Sequence, residues 1–252
     1  MVKPEDKTLQ PATEYNFIDT IVSIFIYATG IPHLLFWTGI FSIIGRLFPG
    51  EKYDPLTHWV ARLLARHAGF KIKVIGREKI KKGPYIFVVN HVNAMDLFTI
   101  YGALPVYCRS FEDISHFNIP IYGRLIKAVG QVPVSRTDKE ITKKGYEKAK
   151  EMLSKGHSFV VFPEGHRTRD GSLGKFYPGA FRLAIETEVP IVPVVQRGAR
   201  KIARKGDWRI RPGVVEVIFS DPIPTKGLKL DDIDRLKEEV RQIMAEILAG
   251  ER

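Results

Sequence analysis

Short apolar runs alternate with amphipathic segments along the chain after residue 70. Seven of the runs have the length and apolar content of β-strands: residues 72–75, 85–89, 106–108, 132–134, 158–162, 191–195 and 214–219. Segments with helical periodicity follow several of them, at residues 97–104, 138–153, 179–186 and 232–248. Because alternating strands and helices are typical of parallel sheets, the pattern predicts an α/β fold with a mostly parallel central sheet flanked by helices.

A much longer apolar stretch, residues 17–48, precedes this pattern and contains only two charged residues. It exceeds the roughly 20 residues that a membrane-spanning helix needs. Glycine and proline interrupt it at residues 30–32, and a proline inside a helix removes a backbone donor. We therefore predict an N-terminal, membrane-associated two-helix hairpin within residues 1–56, followed by an α/β domain over residues 57–252. A pair of buried core helices and two true membrane spans are the alternatives.

The chain is strongly basic. Its 252 residues contain 39 Lys and Arg against 28 Asp and Glu, so the formal net charge is +11. A balance of this size favours anionic partners such as phosphorylated substrates, anionic lipid or nucleic acid, but it does not choose among them. The single cysteine, Cys108, excludes an internal disulfide and a cysteine-based zinc site.

Polar residues follow five of the predicted strands, at the point where each strand ends. In chain order they are His91, Arg109, Arg136, the segment 164–167 and Arg197. The carboxyl ends of parallel strands meet at one edge of an open α/β sheet, where ligands bind. If these strands are parallel, a histidine, an acid and several arginines converge at that edge, and we assign Arg109 to substrate binding with them.

His91 and Asp96 are the predicted catalytic residues. Five positions apart, they would sit about 140° apart on a helix, so they can meet only if His91 lies on the turn before it. The carboxylate would then fix the imidazole tautomer and leave the other ring nitrogen as a general base. The alternative is a local role, since Asn93 and Asp96 also resemble a helix capping box. Neither Ser110 nor Cys108 has a base beside it in sequence, so we expect the substrate's own hydroxyl to attack an activated acyl donor such as a thioester.

A polar loop at residues 164–171 contains arginines that can bind phosphate in a bidentate manner. Arg167 of this loop, together with Arg136 and Lys175, predicts a phosphate site near the general base. An acid beside a phosphate repels it, so Glu164 is expected to hold Arg167 or another cation in place. A solvated surface loop is the alternative.

Four segments, in order along the chain, resemble the motifs of the glycerolipid acyltransferase family. They are His-x4-Asp at 91 and 96, an apolar strand ending in arginine at 129–136, Phe-Pro-Glu-Gly-His-Arg at 162–167 and Val-Pro-Ile-Val-Pro-Val at 189–194. The third motif usually has threonine between glycine and arginine, where this chain has His166. The chain is particularly similar to the bacterial 1-acylglycerol-3-phosphate (lysophosphatidic acid) acyltransferases.

This resemblance implies transfer of a fatty acyl group from acyl carrier protein or coenzyme A to the free hydroxyl of lysophosphatidic acid, which gives phosphatidic acid. In the family, the arginine of the second motif and the glutamate, glycine and arginine of the third serve the acceptor. Here these are Arg136, Glu164, Gly165 and Arg167. The proline of the fourth motif corresponds to Pro193 and is expected to shape the site near the acyl donor.

The expected partners are membrane lipid, lysophosphatidic acid and the thioester donor, with no nucleic acid, no metal and no cofactor. The expected location is the cytoplasmic face of the cell inner membrane. Glycerol 3-phosphate or another lysolipid is an alternative acceptor. A non-catalytic protein that binds anionic lipid or nucleic acid is a further alternative. A metal-dependent phosphohydrolase is the last, and its metal ligands would be His91, Asp96, Glu164 and His166.

Overall fold

The computed structural model describes residues 14–47, 54–81, 83–106 and 108–250. The α-helices in these ranges are α1 (Phe17–Leu47), α2 (Asp54–His67), α3 (Asp96–Ala103), α4 (Tyr122–Ala128), α5 (Lys139–Ser154), α6 (Gly179–Thr187), α7 (Ala199–Ile202) and α8 (Ile233–Ala249). The strands are β1 (Phe70–Ile75), β2 (Ile86–Val89), β3 (Cys108–Asp113), β4 (Val132–Val134), β5 (Ser158–Val161), β6 (Ile191–Arg197) and β7 (Gly213–Phe219).

The seven strands form one sheet in the order β1-β7-β6-β2-β5-β3-β4. Neighbouring strands are parallel except β6 and β7, which run antiparallel. The predicted α/β fold with a mostly parallel sheet flanked by helices is therefore confirmed. Since β6, β2, β5, β3 and β4 share one direction, the residues that follow them leave the same edge of the sheet.

Helices cover both faces of the sheet, so the central strands are apolar on both sides. In β2, Phe87 and Val89 belong to the core beneath α2 and α3. Ile86 and Val88 point the other way, into the core beneath α5, α6 and α8. All four side chains are fully buried. The central place of β2 puts the turn that follows it, which carries His91, between the ends of β6 and β5.

The N-terminal apolar stretch forms one continuous helix, so the predicted break between two hairpin helices is wrong. Pro32 lies inside α1, where a proline costs about 3 kcal/mol in the helix interior. Packing on α2 holds the two halves in line, because Thr29 Oγ1 lies 2.8 Å from Nε2 of His67 and the rings of His33 and His67 are in edge contact. Gly30 permits this approach, since a Cβ there would come within 3.2 Å of the His67 ring.

Helix α1 has 31 residues and is about 46 Å long. Its segment Phe17–Ile44 is long and apolar enough to cross a membrane, and only 11% of its most apolar window is buried. That low burial argues against the alternative of two core helices. One face of α1 still contacts the domain, for example through the ion pair of Asp19 with Arg211. The predicted boundary between residues 56 and 57 follows a stretch, 48–53, that lies outside the described residues, and it stays a prediction.

Candidate active site

His91 lies on the turn between β2 and α3 and faces Asp96, the first residue of α3. Nδ1 of His91 is 2.8 Å from Oδ2 of Asp96, which matches the geometry expected from their spacing. Because a carboxylate can only accept, Nδ1 carries the shared proton and Nε2 is the nitrogen that can take another. The carboxylate is 1% exposed, whereas a quarter of the imidazole reaches solvent. The pair is therefore an oriented base with an accessible nitrogen.

Two buried carboxylates hold the backbone of this turn. Oδ2 of Asp96 also accepts from the amides of Val92 and Asn93, at 2.6 and 3.0 Å. Oε1 of Glu164 accepts from the amide of His91 at 3.1 Å. Three consecutive amides thus donate to carboxylates from two separate segments of the chain. Because charge-assisted hydrogen bonds are stronger than neutral ones, these contacts fix the orientation of the imidazole.

Glu164 bonds to the backbone of the turn between β2 and α3 (the catalytic turn) and not to an arginine, which corrects the role expected for it. Its Oε2 accepts from the amide of Gly174 at 2.9 Å, and within the described chain no ion pair joins it to a cation. A Cβ at Gly174 would lie 2.9 Å from this carboxylate, so a side chain there would displace it. Burial raises the pKa of Glu164, and the two amide donors partly offset that effect.

Replacement of Glu164 by glutamine should change how stability depends on pH. The folded pKa of this carboxyl lies above its unfolded value of about 4.3, so its contribution to stability is complete below that pH. The contribution is lost as the pH rises through the raised folded pKa. The free energy of unfolding of the wild type minus that of Glu164→Gln should therefore decrease from pH 4 towards pH 7, measured by urea denaturation. A difference that grows with pH would contradict this account.

An aromatic side chain and a backbone bond hold His91 from the third-motif segment. Phe162, directly after β5, stacks on the imidazole with ring centroids 4.3 Å apart and an interplanar angle of 24°. The amide of Thr168 donates to the carbonyl of His91 at 2.8 Å. Within the described chain, no hydrogen bond engages Nε2 of His91. Phe162 begins the third motif, but its apolar side chain has no chemistry that would assign it to the site, so its contact with His91 was not predicted.

The predicted acceptor residues Arg136, Gly165 and Arg167 lie at the same sheet edge as the catalytic turn. Arg136, beyond the end of β4, donates from Nη2 to the carbonyl of Gly165. Arg167 lines an open groove of about 730 Å³ together with Asn93 and Met95 of the catalytic turn. The sheet therefore brings two guanidinium groups and the base to one edge, as the parallel strands predicted.

Arg109 lies elsewhere. It does not follow a strand, because β3 begins at Cys108 and continues to Asp113. The predicted strand ended too early because Arg109 and Ser110 of β3 are buried although they are polar, and an apolar pattern does not reveal such residues. A Cβ added at Gly130 would come 3.0 Å from Nε of Arg109. Burial raises the pKa of Tyr101, and the charge of Arg109 is among the effects that lower it, so Arg109 is a neighbour of Tyr101.

Lys175 and Pro193 are also not in contact with the base. Lys175 is exposed, and its charge contributes to lowering the pKa of Asp234 at the start of α8. Pro193 is buried in the middle of β6, opposite Val88 of β2. Their roles in substrate binding stay predictions.

The basic run at residues 197–211 is largely engaged within the protein. Its ion pairs are Arg197 with Glu216, Arg209 with Asp207 and Arg211 with Asp19. Lys205 donates to the carbonyl of Arg167 at 3.0 Å, and Arg200 donates to that of Arg169. The run therefore fastens the loop after β5 and the start of α1 to the domain.

An apolar pocket lies between α1, α2, α3 and α4. Its lining includes Phe41 from α1, Ala61 from α2, Phe98 from α3 and Leu125 from α4. Because Asp96 begins α3, the helix that forms one wall of the pocket starts at the partner of His91. In the described part of the chain, no group of three or more His, Cys, Asp or Glu residues is arranged to hold a metal ion.

The fold and the site define a class of protein, an α/β protein with a hydrogen-bonded histidine–aspartate pair at the carboxyl edge of its sheet. A family model described as Acyltransferase matches residues 71–197, which include all four motifs. The chain belongs to this acyltransferase family.

The chain resembles curated proteins from plants and animals. The chloroplastic 1-acyl-sn-glycerol-3-phosphate acyltransferase LPAT1 of Arabidopsis thaliana is 35% identical over 76% of this chain and 56% of the relative. The chloroplastic enzyme BAT2 of Brassica napus is 32% identical over 91% and 63%. The 1-acyl-sn-glycerol-3-phosphate acyltransferase alpha of Ovis aries is 31% identical over 73% and 67%. The chain thus spans less than two thirds of the length of the first two relatives.

A solved structure shares the fold. The crystal structure of the 1-acyl-sn-glycerophosphate (LPA) acyltransferase PlsC from Thermotoga maritima matches with a TM-score of 0.80 and 22% identity. The match covers 92% of this chain and 95% of that one. The whole described architecture, including the apolar N-terminal helix, is therefore within the range of a known fold.

Proposed function

We propose that the protein is a 1-acylglycerol-3-phosphate O-acyltransferase that converts lysophosphatidic acid and an acyl thioester into phosphatidic acid. The observation that carries this proposal is the contact of His91 with the buried Asp96 at the sheet edge that also holds Arg136 and Arg167. The relatives named as enzymes of this activity support the same reaction.

The reaction needs one base and no covalent enzyme intermediate. Nε2 of His91 takes the proton of the acceptor hydroxyl while that oxygen attacks the thioester carbonyl carbon. The resulting imidazolium faces the carboxylate of Asp96, which stabilises its charge. The tetrahedral intermediate then expels the sulfur, and the imidazolium returns the proton to the leaving thiolate. A new ester and a free thiol result, and His91 is again neutral.

Two guanidinium groups are the proposed ligands of the acceptor phosphate. Arg136 and Arg167 both lie at the loop after β5, whose backbone is also bonded to His91 through Thr168. Guanidinium groups bind phosphate oxygens in a bidentate manner, so they can fix the distance from the phosphate to the acceptor hydroxyl. Such positioning makes attack effectively intramolecular, which is a large part of catalysis by two-substrate enzymes.

The apolar pocket is the proposed site of the donor's fatty acyl chain. It is lined by residues of four helices, among them Leu97 and Phe98 of α3, the helix that Asp96 begins. A chain held against this helix would have its thioester near the base. Either carrier of the thioester, coenzyme A or acyl carrier protein, can deliver this chain. The rates of acyl transfer from the two donors identify the carrier.

Replacement of Ala61 by phenylalanine should shorten the acyl chain that the enzyme prefers. The added ring would fill part of the pocket and exclude the end of a long chain, which should lower kcat/KM for C16 and C18 donors by about tenfold or more. Leu125→Ala should shift the preference in the opposite direction. Rates with a series of C8 to C18 donors measure both effects. An identical chain-length profile in both variants would contradict this role of the pocket.

We further propose that α1 associates with the membrane that supplies the acceptor. Its apolar residues Phe17, Phe25 and Phe36 are exposed, while one face of the helix packs against the domain along its length. Burial of exposed apolar surface in lipid is favourable, and a helix with one face covered by protein suits the membrane interface. Because the thioester donors are cytoplasmic, the cytoplasmic face of the inner membrane is the proposed location. Sedimentation with anionic vesicles tests the association, and protein left in the supernatant would contradict it.

The direct test of the proposed function is an acyl-transfer assay with three acceptors and two donors. Lysophosphatidic acid, glycerol 3-phosphate and lysophosphatidylcholine are each offered with acyl-coenzyme A and with acyl carrier protein. Phosphatidic acid should form from lysophosphatidic acid, and the faster donor identifies the carrier. Transfer to glycerol 3-phosphate alone, or no transfer to any acceptor, would overturn the assignment.

A further inference from the structure

We propose that Gln196 and Asn90 are positioning residues that set the geometry of the His91–Asp96 pair. The inference rests on the proposed function, in which His91 is the general base. Asn90 bonds to the backbone of Gln196, and Gln196 bonds to the backbone before His91 and to Thr99 of α3. Neither residue has a hydrogen bond to the reacting nitrogen in the described chain.

Asn90 joins the ends of two neighbouring strands. It follows β2, and its Oδ1 accepts from the amide of Gln196 at 2.7 Å while its Nδ2 donates to the carbonyl of Gln196 at 3.3 Å. Its side chain thus takes the place of a peptide group and extends the pairing of β2 with β6. Asn90 is 2% exposed and Gln196 is 0% exposed, so solvent cannot replace a hydrogen bond that is lost between them.

Gln196 connects the two ends of the catalytic turn. Its Nε2 donates to the carbonyl of Asn90, immediately before His91, at 3.4 Å. Its Oε1 accepts from the hydroxyl of Thr99, which lies in the first turn of α3. That turn begins with Asp96. One side-chain amide therefore links the backbone that carries the base to the helix that carries the orienting acid.

Asn93 adds a second connection to the same strand. Its Nδ2 donates to the carbonyl of Ala199, just after β6, and its Oδ1 accepts from the amide of Met95. Strand β6 carries the fourth motif, whose Pro193 is buried inside the sheet opposite Val88 of β2. The contribution of this strand to the site therefore comes from Gln196, three residues further on, through its hold on the catalytic turn.

Gln196→Met should lower kcat by about 10- to 100-fold, because displacing a catalytic group by about 1 Å has an effect of this size. Methionine has nearly the same volume as glutamine but neither donates to Asn90 nor accepts from Thr99. The KM values for donor and acceptor should stay close to those of the wild type, since Arg136 and Arg167 are untouched. The Nδ1 proton resonance of His91, assigned by its absence in His91→Ala, should shift or broaden.

The matched control is Thr225→Val. Thr225 is fully buried, and its hydroxyl lies 3.1 and 3.0 Å from the carbonyls of Ala184 and Val189, near the start of β6 and away from the site. This variant should lose stability but keep kcat and the His91 resonance. A purely structural role for Gln196 would make the two variants alike.

Three results decide between the outcomes. A folded Gln196→Met protein with wild-type kcat would overturn the inference. A loss of kcat that Thr225→Val reproduces, or a loss confined to KM, would also overturn it. If His91→Ala is inactive in the same assay, each of these results overturns only the inference about Gln196 and leaves the proposed function in place. If His91→Ala keeps its rate, the proposed function itself fails.

Discussion

His91→Ala should lower kcat by about 10²- to 10⁴-fold, the range that general base catalysis contributes. The physical reason is the loss of Nε2, the nitrogen that takes the acceptor's proton in the proposed mechanism. The fold should survive, because a quarter of the imidazole is exposed and the amides of the turn keep their carboxylate partners. Initial rates with lysophosphatidic acid, together with urea denaturation and vesicle sedimentation, measure the three properties separately.

The control for this variant is His116→Ala. His116 also pairs with a carboxylate, since its Nδ1 lies 2.8 Å from Oε2 of Glu112, and it follows β3 at the same edge of the sheet. Its ring is 45% exposed and lies in a pair separate from His91 and Asp96. His116→Ala should leave kcat near the wild-type value. If the two variants lost activity equally, or if His91→Ala retained most of its rate, His91 would not be the base.

Asp96→Asn should lower kcat by about 10²- to 10⁴-fold while changing the fold little. The asparagine carbonyl can take the place of Oδ2 and keep the bonds from Val92, Asn93 and His91. Its amide group then takes the place of Oδ1, for which no hydrogen bond is found within the described residues. The variant therefore removes the negative charge that faces the imidazolium but preserves the geometry of the turn. The free energy of unfolding should fall by no more than about 1–3 kcal/mol.

Asp138→Asn is the matched control for the loss of a carboxylate that accepts from backbone amides. Asp138 caps α5, and its Oδ1 accepts from the amides of Glu140 and Ile141 on the surface of the protein. Its substitution should leave kcat unchanged. Retention of full kcat by Asp96→Asn would show that Asp96 serves only to shape the turn, as a capping residue does.

Patterns of neighbouring residues were sufficient to predict that the strands exist and that His91 and Asp96 form a pair. Apolar runs of three to six residues predicted the presence of the seven strands, although the run at 106–108 overlaps β3 only at Cys108. The signal is clearest for β2, because a strand buried on both faces is apolar throughout. The spacing of His91 and Asp96 required a turn between them, and the two side chains meet across that turn. Both conclusions depend only on residues that are close in sequence.

Local rules failed where distant segments decide the conformation. Pro32 and Gly30 favour a break in α1, but contacts of the same region with His67 of α2 keep the helix continuous. The apolar run at 106–108 predicted the wrong end for β3, because Arg109 is buried in spite of its charge. In each case a tertiary contact outweighs the preference of the local sequence.

The sequence by itself determined the α/β fold, the resemblance to the acyltransferase family and the His91–Asp96 pair. Only the tertiary structure decided what holds that pair in place: Glu164 bonds to a residue 73 positions away, and Gln196 bonds to one 106 positions away. Such contacts depend on which strands are neighbours and in what register, and no periodicity in the chain encodes either. The two residues proposed to act in the reaction are therefore close in sequence. The contacts that orient them depend on the packing of β2 between β5 and β6.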